Sequence, residues 1–285
     1  MASALELLKH HRAFGGQVRY QRHRSEVCNG PMEFSVFIPP LAERERAPVV
    51  YYLSGLTCTP ENFTVQAGAQ RIAAELGLIL VAPDTSPRAA EVPGEADDWD
   101  YGTGAGFYVD ATEEPWRESY QMYSYITEEL PQLIDDTYPT QGKDQRSIFG
   151  HAMGGHGALV AALRSPRAWR SVSAFSPVVA PSQVPWGQKA FTGYLGEDRA
   201  SWARYDATEL VTTKTHPTTI LVDQGTRDQF LERELKPELF EAACETAGQA
   251  LELRRHAGYD HSYFFIASFM EDHLQHHAAH LRNSA

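Results

Sequence analysis

Short apolar runs punctuate this chain at intervals wide enough to hold a helix between them. Nearly continuous runs fall at 49–53, 78–82, 147–149, 172–175, 219–222 and 251–253. Runs this short, without polar alternation, predict strands covered on both faces. Residues 33–38 alternate instead and stop at Pro39 and Pro40, which predicts a half-buried strand. Helical spacing recurs at 63–76, 118–137, 153–164, 237–247 and 262–281. Strands alternating with helices predict right-handed crossovers and an α/β fold with a mostly parallel sheet and helices on both faces. The stretch 85–116 fits neither period. It carries glycines, prolines and acidic residues, but also Trp99, Tyr101, Phe107 and Tyr108, so an ordered functional loop is expected rather than a linker. No composition break divides residues 1–285, and a single domain is expected.

Composition narrows the function classes. The net charge is −12 over 285 residues, which argues against non-specific binding to nucleic acid or anionic membrane. No run approaches the roughly 18 apolar residues of a membrane span. The first twelve residues lack the apolar core of a signal peptide, and Cys28, Cys58 and Cys244 are too few and scattered for a disulfide framework. A cytoplasmic protein is therefore expected. No zinc-type cysteine spacing occurs, and His151 and His156, five apart, do not share a helical face, so no metal is expected. Of the twelve histidines, His10, His11, His276 and His277 are expected at exposed ends.

The most informative stretch is Gly150-His151-Ala152-Met153-Gly154-Gly155-His156-Gly157, which follows a strand and opens a helix. That is the setting of the nucleophile elbow, Gly-x-Ser-x-Gly, in which a strained turn demands small residues two positions either side. Every position fits except the centre, where Ala152 has no lone pair to attack a carbonyl. The glycine spacing does not fit a dinucleotide-binding loop. An acid and a base follow in the order that α/β-hydrolases use. Asp228 lies just past the 219–222 run and is preferred to Asp223, which is still in it. His261 lies in a loop feeding the last helix. Backbone donors for an oxyanion would come from Met153, after the elbow residue, and Leu56, in the loop after 49–53.

With these residues placed, the chain resembles the S-formylglutathione hydrolase (esterase D) family. The matching stretches are 52–59, 99–112, 150–157, 185–191, 223–231 and 258–263. The resemblance implies an α/β-hydrolase fold and hydrolysis of a small-molecule thioester, S-formylglutathione, to glutathione and formate in formaldehyde detoxification. It implies no cofactor, a possible homodimer, Asp228 and His261 as triad members, and Leu56 and Met153 as oxyanion donors. Cys58 resembles the family cysteine near the acyl pocket; a small buried hydrophobe is the alternative. Formyl is the smallest acyl group, so Trp186 and the loop from Trp99 are candidates for a tight pocket wall, or for core. The departure is Ala152, where the family has serine. As written, the chain is expected to bind substrate with little turnover, whether the alanine is an engineered substitution or marks a natural binding protein. The intact partners favour the former. A general small-acyl carboxylesterase is the second enzymatic reading.

Overall fold

The computed structural model describes residues 4–281. Nine strands form one sheet in the order β1-β2-β3-β5-β4-β6-β7-β8-β9. They are β1 (Glu6–Ala13), β2 (Gly16–Ser25), β3 (Gly30–Ile38), β4 (Val49–Leu53), β5 (Ile79–Pro83), β6 (Arg146–His151), β7 (Val172–Phe175), β8 (Ile220–Gly225) and β9 (Leu251–His256). From β5 across to β9 every pairing is parallel. The strands β1 to β3 join as an antiparallel meander that meets β5 antiparallel.

The apolar runs are the central strands, buried on both sides. In β4, Tyr51 and Leu53 enter one core while Val50 and Tyr52 enter the other. Helices cover both faces: α1 (Pro60–Gln66), α2 (Gln70–Leu76), α3 (Met122–Ser124), α4 (Leu130–Thr137), α5 (Met153–Arg164), α6 (Pro185–Leu195), α7 (Ala207–Leu210), α8 (Pro237–Ala247) and α9 (Tyr263–His280). The first core includes residues of α5, α6 and α8, such as Leu159, Phe191 and Phe240. The second is built against α1, α2 and α9, with Phe63, Ile72, Phe265 and Met270.

Two expectations change, and two strands arise where none was expected. The helix expected over 63–76 is two helices, because the chain turns at Gly68, where φ is +66°. The segment expected over 118–137 becomes helical at Met122 and carries a π turn at Tyr125–Glu129 between α3 and α4. The antiparallel strands β1 and β2 lack the apolar runs that mark the central strands; β1 is exposed along almost its whole length. The stretch 85–116 is irregular yet tied down. Tyr194 of α6 accepts from the Gly102 amide at 2.8 Å and donates to the Ala105 carbonyl at 2.8 Å. Its ring stacks on Tyr101, and Trp116 meets both edge-on.

The histidine expectation holds for His10 and His11 and fails on α9. His277 is fully buried and hydrogen-bonds Ser171 and Ser173 at 2.7 and 2.8 Å, while His276 is half-buried. The helix end folds onto β7 instead of projecting into solvent. Among the described residues, no helix is long and apolar enough to cross a membrane, and no cluster of His, Cys, Asp or Glu is arranged to hold a metal.

Candidate active site

Ala152 sits between β6 and α5 with φ 54° and ψ −111°. An L-residue holds such a conformation only when its surroundings impose it. Here they do. The Ala152 amide donates to the Phe175 carbonyl of β7 at 3.0 Å, and its own carbonyl accepts from His156 and Val178. The flanking glycines are required by contact. A Cβ at Gly154 would lie 1.8 Å from the Leu53 carbonyl oxygen, and one at Gly150 would lie 2.3 Å from that of Gly154. The strained strand-to-helix turn read from the sequence is therefore present in geometry, with alanine at its apex.

The acid and base candidates meet beside it. His261 Nδ1 and Asp228 Oδ2 are 2.5 Å apart, and both side chains are largely withdrawn from water. The Phe230 amide donates to the other Asp228 oxygen at 2.8 Å, and the Gln224 side chain reaches Oδ2 at 3.4 Å. The loops carrying the pair are bound together. Thr226 N–H donates to the His256 carbonyl and Arg227 N–H to that of Tyr259. Gly225 permits the approach, since a Cβ there would lie 2.3 Å from the Tyr259 oxygen.

Asp223, the competing acid, has other partners. Arg254 grips it through two 2.7 Å bonds, and His256 and His273 each approach at 2.8 Å. Burial alone would raise its pKa; the hydrogen bonds from His273, Arg254 and His256 outweigh burial and hold the carboxyl well below the ordinary range. Its network runs under the sheet through His273, Ser173, His277 and Ser171 to Ser147, away from position 152.

A cleft of about 230 Å³ opens over Ala152. Its walls include Leu56, Cys58, Trp99, Trp186 and His261, so six of the eight residues singled out in the sequence line it. Met153, the seventh, is the first residue of α5, where a helix has no internal acceptor for its N–H. Leu56 precedes two engaged amides: Thr57 N–H donates to Gly104 O and Cys58 N–H to Gly55 O. The eighth, Asp228, stands behind His261. Trp99 meets Trp186 edge-on at 5.8 Å, and Trp186 packs on Phe230 at 4.5 Å. Burial pushes the Cys58 thiol up to about 11, so it is protonated at neutral pH.

Sequence reasoning missed His151, Phe230, Asn62, Ser262 and Tyr263, which also face the cleft. His151, Phe230, Ser262 and Tyr263 lie within quoted motifs and Asn62 just beyond one, but only the fold turns them inward. Two basic side chains are already engaged: Arg88 pairs with Asp84 at 2.7 Å and donates to the Cys58 carbonyl at 3.1 Å. Lys189 is engaged by Asp98 and Asp100.

Comparison with known proteins places this geometry in a family. The family profile named Esterase matches residues 25–276. The chain is 50% identical to S-formylglutathione hydrolase of Rattus norvegicus over 279 residues, covering 97% of this chain and 99% of the relative. It is 49% identical to that of Arabidopsis thaliana over 280 residues, covering 98% of both. A solved S-formylglutathione hydrolase from Agrobacterium tumefaciens superposes with a TM-score of 0.95 at 51% identity, covering 97% of this chain and all of the other. A ferulic acid esterase, at 20% identity and a TM-score of 0.72, shares the fold. The chain has the α/β-hydrolase fold and belongs to the S-formylglutathione hydrolase family of esterases.

Proposed function

We propose that this chain is an S-formylglutathione hydrolase in which position 152 is the nucleophile position, so that alanine there leaves binding in place and suppresses turnover. The observation that carries the reading is the 2.5 Å Asp228–His261 pair facing the same cleft as the strained elbow at Ala152. In this reading a serine at 152 would attack the formyl carbonyl while His261 takes its proton. Asp228 holds the imidazole in one tautomer and stabilises the imidazolium. The Leu56 and Met153 amides receive the developing oxyanion. The glutathione thiolate leaves, taking the proton from His261, and water then cleaves the formyl ester by the same base. The product set, glutathione and formate, is that of formaldehyde detoxification.

The small cleft supports a small acyl group, with Trp99, Trp186 and Cys58 as its walls. Loss of a triad serine costs on the order of 10⁶-fold in kcat where it has been isolated. The chain as it stands should therefore bind S-formylglutathione in a calorimetric titration without consuming it. Restoring serine and comparing kcat/KM for S-formylglutathione with that for p-nitrophenyl acetate tests the substrate. A clear preference for the thioester supports the glutathione reading; equal or reversed preference makes the protein a general small-acyl esterase.

A further inference from the structure

His151 lies against the catalytic base candidate, and none of the chemistry above uses it. The residue ends β6 and is only 6% exposed. Its ring meets that of His261 with centroids 4.3 Å apart and planes inclined at 42°. Phe230 meets the same His261 ring edge-on at 5.0 Å, while Asp228 holds its Nδ1. Room for His151 is provided by Gly55, where a Cβ would already sit 3.4 Å from His151 Nδ1. Its Nε2 is buried without a hydrogen-bond partner among the described residues. An unpaired buried polar atom is destabilising, and leucine at this position would avoid it.

Two imidazoles in contact compete for one proton, and their surroundings decide which carries it. Burial, and then the adjacent His261, hold His151 well below the ordinary histidine range. His261 has a carboxylate on Nδ1. Other groups face the pair from every side. Tyr263 of α9 and Cys58 of the β4 loop are pushed up by burial and stay neutral. Asp260, in the loop of His261, is held low by the Ser262 hydroxyl and amide and stays anionic. His151 is thus the polar, uncharged ring in contact with the base.

Resting on the hydrolase reading, we propose that His151 is a positioning residue for His261: an uncharged polar ring that backs the base and stabilises it when it is protonated. The imidazolium formed during attack then faces a carboxylate on one edge and a neutral dipole on one flank, with no second cation.

The test is a ¹⁵N-histidine NMR titration of the chain as it stands, beside His151→Leu and His151→Gln. Removing the dipole lowers the basicity of His261, so in His151→Leu its midpoint moves to lower pH by about half a unit or more, and in His151→Gln by less. In an Ala152→Ser background, the acid limb of kcat/KM moves in step. An unmoved His261 midpoint in His151→Leu overturns the proposal, as does a shift in Gln equal to that in Leu. The NMR arm needs no turnover. An inert Ala152→Ser protein with the expected shifts would sink the hydrolase reading and leave the contact between the two histidines explained.

Discussion

Exchanging each of the two buried carboxylates for its amide separates structure from catalysis at this site. Asp223 has a fully buried side chain with Arg254, His256 and His273 around it. Asp223→Asn removes the charge that all three address. Breaking a buried pair from one side costs about 3–5 kcal/mol. Arg254 is 29% exposed and recovers some hydration, which favours the lower end. For a chain of this size that lowers the melting temperature by roughly 5 to 8 °C. The folded-state pKa of Asp223 is depressed, so its contribution is complete above the ordinary carboxylate range and is lost as pH falls below it. Asp223→Asn should therefore flatten the acid limb of the stability–pH curve. Asp228→Asn should cost less stability, because the amide oxygen can still accept from the Phe230 N–H while its NH2 donates to His261 Nδ1. In an Ala152→Ser background it should lower kcat by about 10⁴-fold, since the amide favours the wrong imidazole tautomer. The assays are thermal unfolding from pH 3 to 8 and steady-state hydrolysis at pH 7.5. A stable but inactive Asp223→Asn, together with an active Asp228→Asn, would refute the assignment.

Gly154→Ala should destabilise by several kcal/mol, because its Cβ meets the Leu53 carbonyl at 1.8 Å; urea unfolding measures it, and a change below about 1 kcal/mol would contradict the packing described. His156 and His276 are held down to about 4, chiefly by burial, so the unfolded chain binds more protons between pH 4 and 6.5 and stability should fall as pH drops through that window. His156→Gln should reduce that slope in the same unfolding series; an unchanged slope would contradict it. Trp186→Ala in the serine-restored protein should raise relative kcat/KM for acyl groups longer than formyl by on the order of tenfold, since Trp186 packs on Phe230 and Trp99 over the cleft; a series of acyl thioesters reads it.

The central strands and the strained turn at 150–154 were legible because burial on both faces and a clash-limited turn each leave a mark on residue type. The run 49–53 had to be apolar at every position to fill two cores, and Gly150 and Gly154 had to lack a Cβ. The β1–β2 hairpin left no such mark, since β1 faces solvent and its residues need only pair their backbones. Asp228 was separable from Asp223 by position, but the Arg254 grip on Asp223 was invisible because it joins residues on neighbouring strands. Likewise nothing in the order Gly150-His151-Ala152 says that residue 151 turns toward His261. That contact depends on how the last loop folds back over the sheet, and on Gly55 leaving space. The buried His277 was misplaced for the same reason: a polar residue near a chain end looks exposed until its serine partners are found on β7 and just before it.

The account stands most directly on position 152. Ala152→Ser is a change of one hydroxyl at a turn already in the strained geometry of an elbow. Hydrolysis of S-formylglutathione should rise by about 10⁶-fold in kcat and fall away again when His261→Ala is added. A serine-restored protein, folded as before but inert on both S-formylglutathione and p-nitrophenyl acetate, would show that this turn is not a nucleophile elbow.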